Sequence, residues 1–156
     1  MYDDNKINKA KFIENIELAS TLHDIGKIDI PMRILKKNGP LTDKERQIMQ
    51  KHSIKGYEIL TNISSLYDNN EIITLAKEIA RYHHENWDGS GYPDGLSKFQ
   101  IPFSARIVTI TDYYDAITQD RPYRKALDKT VVKQMLIENS GIKFDPEILE
   151  IFCSQI

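Results

Sequence analysis

The segment from Pro102 to Ile117 most limits what this chain can fold into, because it predicts a helix that is apolar on nearly every face. One face carries large apolar side chains: Phe103, Ile107, Ile110, Tyr114 and Ile117. A second face carries smaller ones: Ala105, Val108 and Ala116. A helix that is apolar all round is stable when other helices cover it. We therefore expect this segment to form the centre of a helical bundle.

The first half of the chain also predicts helices. Apolar residues at helical spacing predict a first helix from about Asn8 to Asp24, with Gly26 placed to end it. Residues 28–40, IDIPMRILKKNGP, are rich in glycine and proline and predict an irregular segment. Thr42 and Glu45 have the spacing of a capping box, so a second helix is expected to begin there.

The second half continues the helical pattern. Gly56 is expected to bend or interrupt the second helix, and a third helix should run from about residue 70 to residue 83. A glycine-rich loop, residues 85–100, follows and is long enough to suggest a function. Asp128 and Asp145 are placed as N-cap residues of two last helices. No alternating strand pattern is present, so the sequence predicts an all-α fold.

Size and composition exclude several classes of protein. The 156 residues suit a single domain, 1–156, with a sizeable core, and the net charge of −2 does not suit a DNA-binding protein. The one cysteine, Cys153, excludes an internal disulfide and fits a reducing compartment. No run of about 18 apolar residues could span a membrane. Because the chain also starts without an apolar secretion signal, it is expected to be cytoplasmic.

The four histidines of the chain lie in three short motifs: HDIGK (23–27), KHSIKG (51–56) and HHENWDGSGYP (83–93). His83 and His84 would be roughly 100° apart on a helix, so both can face one site only at a helix end. Each histidine alone is more simply explained as a helix-capping, half-buried or surface residue. Taken together, imidazole and carboxylate groups suit first-row metals such as iron, manganese, nickel or zinc. The motifs therefore predict a metal site.

Asp112 lies in the middle of the helix that we expect to be central. A carboxylate is costly to bury without a cation or strong hydrogen bonds. A metal ion, Arg106 or Lys27 could supply the positive charge. Asp115, three residues further on, could orient a metal ligand, and a structural salt bridge for one of the two aspartates is the alternative.

Two metal ions about 3.5–4 Å apart and bridged by a carboxylate can activate water and hold the oxygens of a phosphodiester. Asp24 is the natural bridge because it adjoins His23. Lys27, Arg121 and Arg124 are candidates to bind phosphate oxygens. The alternative for the basic cluster RPYRK (121–125) is a solvated patch at a helix end.

HDIGK, HHENWDGSGYP and RIVTITDYYDAITQDRPYR closely resemble the motifs of the HD-GYP subfamily of the HD phosphohydrolase superfamily. The similarity extends from about Ile16 to Phe152. It implies an HD-type bundle of about five to seven helices with a long glycine-rich loop. It also implies a bacterial phosphodiesterase that converts cyclic di-GMP to pGpG and then GMP, or that acts on a related cyclic dinucleotide. The cofactor implied is a cluster of two divalent metal ions, or three in some members.

The resemblance also assigns roles to residues. The implied metal ligands are His23, Asp24, His52, His83, His84 and Asp112, with Asp24 as the catalytic bridge. The implied substrate-binding residues are Lys27, which lies near the scissile phosphate and is also catalytic, and Arg121 and Arg124. The signature residues of the loop are Gly91, Tyr92 and Pro93, and this loop is linked to contacts with diguanylate cyclase (GGDEF) domains. A homodimer is left open.

The N-terminal part departs from the family pattern. Members usually carry further helices and a histidine upstream of the HD motif, and trinuclear members add a glutamate. Only 22 residues precede His23, none of them a histidine, and Glu14 and Glu17 do not match the family position. This predicts a complete second metal site and a first site that lacks one ligand. Two alternatives to the enzyme therefore stay open: an impaired module that binds a cyclic dinucleotide or a cyclase partner, and a hydrolase of another nucleotide.

Overall fold

The computed structural model describes residues 9–67, 70–119 and 127–156. Within these ranges there are seven α-helices and no named strand. The helices are α1 Lys9–Ser20, α2 Met32–Leu35, α3 Asp43–Ser64, α4 Glu71–Tyr82, α5 Phe103–Thr118, α6 Lys129–Glu138 and α7 Pro146–Cys153. Two 3₁₀ helices, Ile25–Asp29 and Lys98–Gln100, complete the regular structure of the described residues. The predicted all-α bundle is confirmed.

The chain divides into two compact units, Met1–Arg81 and Tyr82–Ile156. The N-terminal unit contains the HD motif and α3, and the C-terminal unit contains the glycine-rich loop and α5 to α7. The single-domain organisation stays a prediction. Along the described parts of the chain, no helix combines the length and the apolar character that crossing a membrane requires.

The first helix is shorter than predicted. α1 ends at Ser20, and the chain then tightens into turns in which Leu22 N–H donates to Ala19 O and His23 N–H donates to Ser20 O, both at 3.1 Å. Such bonds between residues three apart are typical of a 3₁₀ geometry. The prediction that Gly26 ends the helix is therefore wrong, because Gly26 lies inside the following 3₁₀ helix, Ile25–Asp29.

Close contact between backbones explains why position 26 is a glycine. A Cβ atom there would lie 2.0 Å from the carbonyl oxygen of His52 and 2.4 Å from the nitrogen of Gly56. The turn that carries the HD motif thus lies directly against the backbone of α3. This contact, which no local pattern reveals, places the HD motif beside His52.

α3 begins as predicted. The Thr42 hydroxyl accepts a hydrogen bond from Glu45 N–H at 3.3 Å, and the Glu45 carboxylate accepts one from Thr42 N–H at 2.8 Å. The helix then continues through Gly56 to Ser64, so the predicted interruption does not occur. Gly56 instead permits close packing, since its Cβ would lie 3.2 Å from the Ala80 methyl.

Residues 28–40 are less irregular than predicted, because they contain α2. Its residue Ile34 is almost completely buried and ties this short helix to the core of the N-terminal unit. A single buried apolar side chain of this kind is a weak signal in a segment punctuated by proline and glycine.

The C-terminal unit is built around α5, as the sequence predicts. Among the residues of α5, only Thr111 and Asp115 are exposed. The core of this unit consists of Ile110, Ile117, Val132, Leu136, Phe144, Leu149 and Cys153. The two predicted N-caps are confirmed, because Asp128 accepts from Thr130 N–H at 2.8 Å and Asp145 accepts from Glu147 N–H at 3.0 Å.

Candidate metal centre

The N-terminal unit brings four of the predicted site residues together, and we call them the HD group: His23, Asp24, Lys27 and His52. His23 and Asp24 lie in the turn after α1, Lys27 lies in the 3₁₀ helix, and His52 projects from α3. The Asp24 carboxylate is the centre of the group. Its Oδ2 lies 3.3 Å from His23 Nε2 and contacts Lys27 Nζ, and its Oδ1 lies 3.4 Å from His52 Nε2.

Backbone carbonyls fix the orientation of both imidazoles in the HD group. His23 Nδ1 lies 2.8 Å from Ser20 O, and His52 Nδ1 lies 2.7 Å from Met49 O. A carbonyl oxygen can only accept, so each Nδ1 carries a proton and donates it. Nε2 of each ring is therefore the nitrogen directed at Asp24. Metal-binding histidines commonly have this arrangement, in which one ring N–H is held by a second group.

The charges of the HD group favour a cation at this point. Burial lowers the pKa of His52, which is only 1% exposed, so its neutral form is favoured near neutral pH. Burial alone would raise the pKa of Asp24, but the neighbouring His23 imidazole and the Lys27 ammonium hold it well below its usual range. A neutral His52 directs the Nε2 lone pair toward an ionised carboxylate. Two acceptors that face each other are stabilised by a positive ion between them, so these donors fit a divalent metal.

The C-terminal unit contains a second pair of predicted ligands, His83 and His84. α4 ends at Tyr82, so both histidines lie in the turn after the helix, as the sequence predicts. Their ring centroids are 4.0 Å apart, and His83 is almost completely buried. The Thr109 hydroxyl lies 2.9 Å from His83 O and links this turn to α5. The pair has the nitrogen donors that first-row metals prefer.

The GYP loop, residues 85–96, folds back on the two histidines. A Cβ atom at Gly91 would lie 2.3 Å from Asn86 N and 2.6 Å from His84 O, so the backbone approaches here as closely as a glycine allows. Tyr92 N–H donates to His84 O at 3.1 Å, and the Tyr92 ring stacks on the His84 ring at 4.7 Å. The signature residues thus form the contact that covers His84, with the Tyr92–Pro93 peptide bond in the cis form.

Glu85 is a structural residue of this loop that the sequence analysis did not single out. Its carboxylate is buried and accepts hydrogen bonds from Asp94 N–H at 2.7 Å, Gly95 N–H at 3.1 Å and Leu96 N–H at 3.0 Å. Burial raises the pKa of Glu85, although these donors oppose the rise. Its position directly after the histidine pair and before a glycine-rich run was the only signal in the sequence.

Asp112 is half-buried on α5, as expected for a carboxylate in a central helix. Arg106, one of the predicted cations for it, instead pairs with Asp145 at 2.5 Å. Lys143 lies within electrostatic range of Asp112. Burial lowers the pKa of Lys143, and the Asp112 charge partly offsets this effect.

Asp115 does not support the outer-ligand role that its spacing suggested. It is exposed, and its carboxylate accepts a hydrogen bond from the Gln119 side chain. Among the predicted phosphate-binding residues, Lys27 belongs to the HD group, whereas Arg121 and Arg124 lie outside the described residues.

Comparison with known proteins agrees with these motifs. The HD domain family model matches residues 3–148. The chain is 43% identical over 141 residues to a cyclic di-GMP phosphodiesterase of Thermotoga maritima. The aligned region covers 90% of this chain and 37% of the relative. It is 42% identical over 135 residues to the cyclic di-GMP phosphodiesterase response regulator RpfG of Xanthomonas campestris, covering 86% of this chain and 34% of the relative.

A third relative differs in its substrate. The chain is 41% identical over 144 residues to 3′3′-cGAMP-specific phosphodiesterase 2 of Vibrio cholerae. The aligned region covers 92% of this chain and 26% of the relative. In all three comparisons the chain spans well under half of the relative's length. The family match and the identities confirm the resemblance that the motifs predicted: the chain belongs to the HD domain family and carries the motifs of its HD-GYP subfamily.

Proposed function

We propose that this chain is a metal-dependent phosphodiesterase that hydrolyses a cyclic dinucleotide, either cyclic di-GMP or a related one such as 3′3′-cGAMP. The observation that carries the proposal is the HD group, in which Nε2 of His23 and of His52 lie 3.3 and 3.4 Å from the ionised Asp24 carboxylate. The names of the relatives supply the class of substrate. From cyclic di-GMP the products would be pGpG and, after a second hydrolysis, GMP.

The HD group provides a strong set of metal donors. Asp24 offers two oxygens, each of which faces a different imidazole, and this suits a carboxylate that bridges two ions. His83, His84 and Asp112 are proposed as the remaining ligands on the strength of the family resemblance. Two divalent first-row ions bound by these residues would supply Lewis acidity and an activated water. Histidine and carboxylate donors favour iron, manganese, nickel or zinc without choosing among them.

Lys27 is the proposed phosphate-binding residue of the HD group. Its ammonium contacts the same Asp24 oxygen that faces His23 Nε2, so a positive charge is held beside the metal donors. Lys27 is also partly exposed, with 41% of its side chain accessible, and a substrate phosphate can therefore reach it. A lysine ammonium binds phosphate as a compact point charge and would stabilise the charge that develops on the phosphoryl oxygens. Arg121 and Arg124 are proposed as further phosphate-binding residues.

The decisive experiment combines metal analysis with turnover. The full chain is purified after growth with iron or manganese, its metal content is measured by mass spectrometry, and cyclic di-GMP and 3′3′-cGAMP are each tested as substrates by chromatography. We expect bound metal together with release of linear dinucleotide or mononucleotide. A chain that holds metal and hydrolyses neither substrate would contradict the proposed function.

A pair of variants tests the role of Asp24. Asp24→Asn removes one donor oxygen and the charge at the centre of the HD group, and we expect more loss of metal affinity than the about 10–100-fold that outer-shell partners typically contribute. Asp115→Asn is the matched control, since Asp115 is an exposed carboxylate outside the HD group. Equal metal retention in the two variants would show that Asp24 is not a ligand.

Two partner predictions accompany this function. The GYP loop is proposed to contact a diguanylate cyclase domain, and its exposed residues Asp94 and Gly95 offer a surface for that contact. A homodimer is the proposed oligomeric state. Light scattering of the purified chain, alone and mixed with a cyclase domain, tests both, and a monomer that forms no complex would contradict them.

A further inference from the structure

The buried carboxylate of Glu85 connects the two ends of the GYP loop. Glu85 itself begins the loop, and its three donors, the N–H groups of residues 94, 95 and 96, lie at the other end. Oε1 accepts two of these bonds and Oε2 accepts the third. Both oxygens are therefore engaged, and the side chain is only 1% exposed. This side chain therefore joins the two ends of the loop, in addition to the backbone hydrogen bond from Lys98 N–H to Trp87 O at 2.9 Å.

The base of the loop is held by different contacts. Trp87 N–H donates to Lys143 O at 3.2 Å, and Asp88 N–H donates to Ile142 O at 2.9 Å. These backbone bonds do not involve the Glu85 carboxylate. Loss of that carboxylate is therefore expected to release residues 90–96 and to leave the start of the loop in place.

The segment that Glu85 holds contains the residue that covers His84. Tyr92 lies two residues before the first of the three donors, and its ring is stacked on the His84 ring with an interplanar angle of 29°. Its backbone N–H also donates to His84 O. A stacked neighbour limits rotation of an imidazole about χ2, which is otherwise a broad torsion. The position of Tyr92 thus bears directly on the orientation of His84.

We propose that Glu85 is a positioning residue for His84: by closing residues 85–96 it keeps Tyr92 stacked on the imidazole and so fixes the direction of the ring nitrogens. Its importance for hydrolysis rests on the proposed function, whereas its effect on the ring does not. Residues that orient a metal-binding histidine typically change metal affinity or activity by about 10–100-fold when they are replaced. Glu85 would orient His84 through the loop, and not through a direct hydrogen bond to the imidazole.

Glu85→Gln is the main variant. The amide has nearly the volume of the carboxylate but keeps only one acceptor oxygen. Its NH₂ group would therefore replace one carboxylate oxygen and face the backbone N–H donors that this oxygen accepts from. Asp88→Asn is the matched control, because it makes the same change of charge in the same loop. Asp88 is exposed, and its carboxylate accepts from Ser90 N–H at 2.8 Å within the loop tip.

Two more variants keep the test independent of any folding defect. Tyr92→Leu removes the stacked ring and leaves the Glu85 hydrogen bonds intact, so it should reproduce the effect of E85Q on His84. Glu85→Asp keeps the charge but shortens the side chain by one methylene, and it replaces E85Q if that variant does not fold. Circular dichroism establishes which variants are folded.

The primary measurement is the histidine side-chain NMR spectrum of the metal-free protein, in which the Tyr92 ring current shifts the His84 signals. The second is affinity for Mn²⁺ by calorimetry, and the third is turnover of cyclic di-GMP. We expect E85Q and Y92L to move the His84 signals and to weaken Mn²⁺ binding by about 10-fold. D88N should leave both unchanged.

The outcomes separate this inference from the proposed function. If folded E85Q retains the His84 signals and the Mn²⁺ affinity of D88N, Glu85 does not position His84, even when the wild-type chain is active. If folded E85Q shows moved His84 signals and weakened Mn²⁺ binding while the wild-type chain hydrolyses no cyclic dinucleotide, the positioning role stands and the proposed function fails.

Discussion

Replacement of Gly26 by alanine should damage both the stability and the proposed metal site of the N-terminal unit. The added methyl would lie 2.0 Å from His52 O, 2.4 Å from Gly56 N and 2.9 Å from His52 C. All three atoms belong to the backbone of α3, so no side chain can move aside to make room. The turn that carries the HD motif must therefore move away from α3.

The size of that movement follows from the contact distances. Ordinary contacts of a Cβ atom begin at 3.4 Å, so the backbones must separate by about 1.4 Å at the shortest contact. Such overpacking typically costs about 1–3 kcal/mol of unfolding free energy. The Asp24 carboxylate would withdraw from His52 by a similar distance, and a displacement of about 1 Å in an active site can cost about 100-fold in rate.

Gly56→Ala is the matched control, because it adds a methyl group at the same packing surface. Its nearest neighbour is the Ala80 Cβ at 3.2 Å, which can give way by a few tenths of an ångström. Alanine also favours a helix interior by about 1 kcal/mol over glycine, so G56A should be near neutral or stabilising. Urea unfolding and metal content measure both effects. A G26A chain as stable as G56A, with full metal content, would refute the close-contact argument.

Two further substitutions test ion pairs. A hydrogen bond from Lys37 and the Thr42 cap lower the pKa of Glu45 to about 2. Because the folded state favours the ionised carboxylate, Glu45 stabilises the fold above its ordinary pKa of 4.5. This contribution disappears as the pH falls to about 2. Glu45→Gln should therefore lower the unfolding temperature at pH 7, with a difference from wild type that shrinks below pH 4.5, and a constant difference would contradict the assignment. Arg106→Met should lower the free energy of unfolding in urea by about 3–5 kcal/mol, because it leaves the buried Asp145 without its cation. A decrease below about 1 kcal/mol would mean that the ion pair is not needed for stability.

Local signals in the sequence were sufficient for most of the fold. Thr42, Asp128 and Asp145 predicted the starts of three helices, since a cap acts within a few residues of itself. The burial of α5 followed from its apolar character on nearly every face. These features depend on neighbours along the chain, and the sequence lists those neighbours directly.

The parts that could not be predicted depend on contacts between distant residues. The end of α1 at Ser20 and the 3₁₀ helix after it are set by the packing of that turn against α3. Glu85 gave no clear signal either, because its role arises only when residues 94–96 return to it. The positions of His83 and His84 after α4 were predictable, since adjacent histidines can face one site only at a helix end.

Gly26 and Gly91 reveal a common physical basis for the two signature motifs. Neither glycine has a positive φ, so conformational freedom does not explain its presence. Each instead removes a side chain where its backbone meets a segment that carries a histidine: Gly26 meets His52 O, and Gly91 meets His84 O. Any Cβ at these positions would lie less than 3 Å from backbone atoms and push the histidine-bearing segment away. Gly26 of HDIGK and Gly91 of HHENWDGSGYP therefore help to position the histidine-bearing segments that they face, and a change at either glycine should act on that histidine.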